Sequence, residues 1–68
     1  MDISPEQTAK ELIKINFPIE KYEELQSRRK TRLKYWQEQG FQVLIDKETE
    51  LVEFGEKVLT LMKVAYGK

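Results

Sequence analysis

The chain contains neither cysteine nor histidine. Without cysteine there can be no disulfide and no thiolate metal site. Without histidine the commonest zinc ligand and the usual general base are missing too. Glycine occurs three times and proline twice. Neither clusters into a linker that would divide domains, and no internal repeat is present. The longest strongly apolar runs, Val43-Leu44-Ile45 and Val58 to Met62, fall far short of the ~20 residues that span a bilayer. The opening Met1-Asp2-Ile3-Ser4-Pro5-Glu6 lacks the positive and apolar regions of a signal peptide, so a cytoplasmic location is expected. There is no glycine-rich phosphate loop, Walker lysine or EF-hand spacing. The acids, including Glu23-Glu24 and the glutamates from Glu48 to Glu56, read as solvated helix faces rather than a carboxylate pair in a pocket. No catalysis, cofactor or metal is expected, and no membrane-surface binding, because the basic residues do not border a strongly apolar helix face.

What is present is a short, highly charged chain of 68 residues, 35% charged and 40% hydrophobic. That is one domain, residues 1–68. A single core of this size rarely supplies more than ~3–5 kcal/mol. With disulfides and metals excluded, regular helix packing and self-association are the remaining sources of stability.

Three helices are expected, at about 4–16, 18–39 and 47–66, giving an all-α domain. Ser4 is an N-cap, Pro5 suits the first helical position and Gln7 completes an S-x-x-Q capping box. Ala9, Leu12, Ile13, Ile15 and Phe17 then share one face. Pro18 disfavours helix at Phe17, which ends the first helix near Asn16. In the second helix Glu20, Glu23 and Glu24 precede the cations, as the macrodipole prefers, and Gly40 stops it with Phe41 placed to cover the turn. Phe41-Gln42-Val43-Leu44-Ile45 alternates like a strand, so a short extended segment is expected at 41–46, although it could also join the last helix. Asp46 and Gly67 are the expected start and stop of the third helix. Its apolar arc, Leu51, Phe54, Val58, Leu61, Met62 and Ala65, flanked by Val52, Leu59 and Tyr66, is wider than one partner needs. A homodimer is expected from that width, using Leu51, Phe54, Gly55, Val58, Leu61 and Met62.

Charge is segregated although it sums to zero. Arg28, Arg29, Lys30, Arg32 and Lys34 fall within seven residues, and no acid interrupts Leu25 to Gln37. Residues 1–27 carry six acids against three lysines, and residues 37–68 carry six against four. Tyr35 and Trp36 follow the band directly. A wheel puts Arg28, Arg32 and Tyr35 on one face, and Lys30 and Lys34 on another. The expected function is a non-enzymatic protein-interaction module, a regulator or assembly factor, whose partner has an acidic surface. Arg28, Lys30, Arg32, Lys34, Tyr35 and Trp36 would form the contact, since the guanidinium fork grips carboxylates. The alternative is a nucleic-acid-binding regulator using the same face, with arginines on phosphates. The pI of about 6.3 speaks against it. The plain alternative to both is a solvated face tied by Glu24–Arg28 and Lys34–Glu38 at i,i+4.

Leu33-Lys34-Tyr35-Trp36-Gln37-Glu38-Gln39-Gly40-Phe41 resembles the L-R-Y-Y-E-x-x-G-L segment of MerR-type DNA-binding regulators over nine residues. That family places a helix-turn-helix upstream and a basic wing downstream. Here Ile19 to Lys34 has no Gly or Pro to break a helix, and Asp46-Lys47-Glu48-Thr49-Glu50 follows. No functional residue is carried over.

Two residues sit against the pattern. Arg29 falls amid Tyr22, Leu25, Leu33 and Trp36, the expected apolar face of the second helix. There it must either snorkel or pair with an acid such as Glu53 or Glu56. Gly55 lies inside the apolar arc at a cost of ~1 kcal/mol relative to alanine, which points to close approach of another helix backbone.

Overall fold

A computed structural model describes residues 3–67. It contains helices α1 (Pro5–Lys14), α2 (Ile19–Gln39) and α3 (Gln42–Tyr66), and among the described residues no strand. No helix among them is long and apolar enough to cross a membrane.

Both corners are built by the same backbone device. Asn16 adopts a left-handed φ of 56° and Gly40 one of 76°. At the first corner Phe17 N–H donates to Leu12 O and Asn16 N–H to Ile13 O; at the second, Phe41 N–H donates to Trp36 O and Gly40 N–H to Gln37 O. These are Schellman pairs, which satisfy the last carbonyls of a helix while reversing the chain. Asparagine tolerates the left-handed region better than most residues, and glycine has no Cβ to clash. The Phe41 ring lies 6.0 Å from Trp36 and supplies the apolar contact expected at the second corner. At the start of α1, Ser4 Oγ accepts from Gln7 N–H at 3.1 Å.

The expected extended segment at 41–46 is instead helical from Gln42. The tight turn at Gly40 already sets the chain antiparallel to α2, so a helix can continue at once. Gln42 Nε2 donates to Asp46 Oδ1 at 2.9 Å, one turn apart, and Asp46 lies in the second turn rather than at the cap. The apparent alternation came from apolar side chains that remain at the surface: Val43 is 70% exposed. Helix α1 stops at Lys14, short of 16, which leaves Ile15 in the turn and 67% exposed instead of on the buried face. Helix α2 is unbroken from 19 to 39, without the upstream break of a helix-turn-helix.

The second half of the wide arc of α3 finds both its partners within the chain. Helix α3 packs against α1 and α2, while α1 and α2 make no close backbone approach to each other. Ala9, Tyr22, Val58, Leu59 and Met62 form the buried core, with Leu12, Ile13, Phe17, Ile19, Phe54 and Leu61 packed around it. Phe17 meets Tyr22 edge to face at 6.4 Å. Tyr66 Oη donates to Phe17 O at 3.0 Å, pinning the α1–α2 corner to the end of α3. Expected dimer residues Val58 and Met62, both 0% exposed, are therefore core residues with no surface left to offer.

The chain measures 41 × 27 × 15 Å. A width of 27 Å suits three helices abreast at 8–10 Å spacing, and 15 Å is little more than one helix diameter. The molecule is thus a slab with α3 in the middle.

Candidate interaction surface

The α2–α3 hairpin is seamed by residues spaced alternately three and four apart. Tyr22, Gln26, Arg29, Leu33 and Trp36 come from α2; Ile45, Glu48, Val52, Gly55, Leu59 and Met62 come from α3. That is the periodicity of coiled-coil packing. The seam is apolar at the core end and polar towards the Gly40 turn. Leu25, expected on the apolar face, is 39% exposed, and Gln26 takes the inner place at 2%.

Gln26 is fully used. Its Nε2 donates to Val52 O at 3.1 Å and to Glu56 Oε2 at 3.0 Å, and its Oε1 accepts from Arg29 Nη1 at 2.7 Å. Arg29 also donates to Leu51 O at 3.3 Å. The inward arginine is thus held by an amide and a carbonyl rather than paired with Glu53 or Glu56. Gly55 makes room for this: a Cβ there would collide with the Gln26 carboxamide and lie 2.6 Å from Arg29 Nη1. What approaches Gly55 is this side chain, not a helix backbone.

Glu48 anchors the second half of the seam. Its carboxylate accepts from Arg32 Nε at 3.0 Å, Arg32 Nη2 at 3.2 Å and Trp36 Nε1 at 3.3 Å. It is 7% exposed, not a solvated face residue. The Arg32 hydrogen bonds hold its pKa below the ordinary 4.5 against burial, which pushes it up; the Trp36 N–H adds to the lowering. Glu56 is lowered likewise, first by its bond from Gln26, against burial, and then by Lys30. Among the described residues no buried side-chain polar atom lacks a partner, so the polar seam satisfies the demand that burial makes.

This network redistributes the basic band. Arg32 is bound by Glu48, Lys30 pairs with Glu56 at 3.3 Å, and Arg28 pairs with Glu24 at 3.1 Å. Lys34 makes no ion pair among the described residues. Three of the five cations that cluster within seven residues thus arrive at the surface offset by α3 or by their own helix. Ser27, Arg28, Thr31, Arg32 and Tyr35 line a shallow depression on the outer face of α2. Tyr35 is 52% exposed and meets Trp36 edge to face at 5.2 Å. Trp36 is half-buried between Tyr35 and Phe41, and Phe41 is 49% exposed. Of the expected contact residues, Arg28, Arg32, Tyr35 and the flank of Trp36 come together here. Lys30 turns towards Glu56 on a different side.

Sequence patterning alone does not single out Gln26 or Glu48, the two residues that organise this surface. The available signal was the three-four spacing read straight through polar positions. Compared with known proteins, the chain matches no family model, no curated protein and no solved structure.

Proposed function

We propose that the chain is a small, non-enzymatic, homodimeric protein-interaction module that presents the outer face of α2 to another protein. The observation that carries this reading is the Glu48–Arg32–Trp36 arrangement. A carboxylate in the seam fixes a half-exposed guanidinium and an indole from beneath, and Arg28, Tyr35 and Phe41 extend that surface. Tyrosine, tryptophan and arginine dominate interface energetics, and holding them in place beforehand lowers the ordering cost of binding. The partner is a peptide segment combining carboxylates, for Arg28 and for Lys34 on the adjoining face one turn beyond Thr31, with an apolar residue for Tyr35 and Phe41.

The offsetting of Arg28, Lys30 and Arg32 by glutamates favours this partner over nucleic acid, which requires several uncompensated cations along its backbone. A displayed random-peptide library selected on the folded protein tests the reading. Enrichment of sequences with clustered Asp or Glu beside an aromatic or aliphatic residue supports it. Tight, steeply salt-dependent binding of oligonucleotides with no peptide enrichment would replace it with the nucleic-acid reading.

A further inference from the structure

The homodimer reading leaves its surface unassigned, since Val58 and Met62 are consumed by the core. We propose that two copies join through the first half of α3, antiparallel about a two-fold axis at the level of Thr49, on the stripe Leu44, Lys47, Leu51 and Phe54. This inference rests on the homodimer reading.

The stripe exists because α1 is too short. Glu6, at the start of α1, lies beside Glu56, Lys57, Thr60 and Leu61, and Leu12 lies beside Tyr66. Helix α1 therefore runs parallel to α3 and covers only its second half. Ten residues of α1 reach about 15 Å along the roughly 37 Å of α3. The apolar track that α1 occupies through Val58 and Leu61 continues backwards at helical spacing through the half-buried Phe54 to Leu51, Lys47 and Leu44, which are exposed. Leu51 is 44% exposed and Leu44 38%. Lys47, Glu50, Leu51 and Phe54 line an open groove there.

Two observations name a second copy as the occupant. First, the spacing of the stripe is symmetric about Thr49: Leu44 and Phe54 stand five residues either side, Lys47 and Leu51 two. An antiparallel copy sets Leu44 on the partner's Phe54 and the Lys47 stem on the partner's Leu51. Second, its charges are self-complementary. Glu50 flanks the stripe on the side to which Lys47 leans, and antiparallel helices bring like flanks together, so each Lys47 faces the other copy's Glu50. Among the described residues neither is in an ion pair. Asp46 and Glu53 lie about 40–60° beyond Glu50, about a third of a turn from the centre of the stripe.

Sedimentation equilibrium of Lys47→Glu, Glu50→Lys and their equimolar mixture tests the proposal, with circular dichroism confirming unchanged helicity. In each single variant both symmetry-related contacts become repulsive, and Kd should rise about tenfold or more. In the mixture both contacts are again attractive, so a heterodimer should form with near wild-type Kd. Single variants as dimeric as the wild type, or weakened variants that mixing does not restore, would overturn this interface while leaving a homodimer in place. A wild type that stays monomeric at its highest soluble concentration would overturn both.

Discussion

Replacing Gly55 by alanine sets two calculable effects against each other. In an ordinary helix interior the change should stabilise by up to ~1 kcal/mol, through helix propensity and the less flexible unfolded chain. Here the new methyl meets the Gln26 carboxamide and Arg29 Nη1. Gln26 is 2% exposed and cannot swing into solvent without giving up its bonds to Val52 O, Glu56 and Arg29. Neutral hydrogen bonds contribute ~1 kcal/mol each and those to charged groups ~1.5–3 kcal/mol, so displacing the amide outweighs the propensity gain. The expected net loss is ~1–3 kcal/mol, or a fall in Tm of roughly 4–20 °C for a domain of this size. Urea denaturation followed by circular dichroism would measure it. The diagnostic arm is the same substitution in a Gln26→Ala background. With the carboxamide gone, Gly55→Ala should become neutral or stabilising, and that sign reversal identifies the collision as the cause. A rise in stability on Gly55→Ala in the wild-type background would refute the reasoning.

Glu48→Gln should destabilise by ~1–3 kcal/mol, because a seam carboxylate that accepts from a guanidinium becomes a neutral amide with two donors of its own. The acid limb carries the sign: Glu48 and Glu56 have folded-state pKa values below 4.5. Their contribution is therefore fully present above the unfolded value and is lost as pH falls through the folded values. Wild-type stability should decline on acidification below about pH 5, and Glu48→Gln should show a shallower decline in the same titration. Trp36→Phe keeps most of the buried ring but removes the N–H given to Glu48, and should cost ~1 kcal/mol by the same denaturation assay; Trp36→Ala should cost more, as the Tyr35 and Phe41 contacts go with it.

The helices and their turns were legible because each boundary has a local cause. Ser4, Pro18, Gly40 and Gly67 act through their own backbone or side chain, and their meaning survives without knowledge of the neighbours. The start of α3 was not legible in the same way, since Phe41, Val43 and Ile45 alternate as in a strand, yet Phe41 and Val43 stay exposed and the segment is helical from Gln42. Two of the residues expected at a dimer surface, Val58 and Met62, lie in the core for a related reason. A wide apolar arc states how much must be covered, but whether α1, α2 or another copy covers it depends on the length and direction of α1. The candidate face shows the sharpest difference. Five neighbouring cations suggest a strong positive field, yet Glu48 and Glu56 return from α3 to offset two of them. That juxtaposition spans 16 residues for Glu48 and Arg32 and is set by the register of the hairpin. Arg32 consequently belongs to the fold as much as to the surface, and reversing its charge would confuse the two.

Arg28→Glu with Lys34→Glu is the cleaner perturbation, because among the described residues Arg28 pairs only with an exposed Glu24 one turn away and Lys34 is in no ion pair. Such exposed groups contribute at most ~1 kcal/mol to folding. The most direct measurement is the affinity of a library-selected acidic peptide for the wild type and for this double variant, by titration calorimetry at two salt concentrations. The account predicts unchanged helicity and melting, with binding reduced at least ~100-fold as two attractive contacts become repulsive. Equal affinity for both proteins would show that the outer face of α2 is only a solvated surface, and would contradict the account.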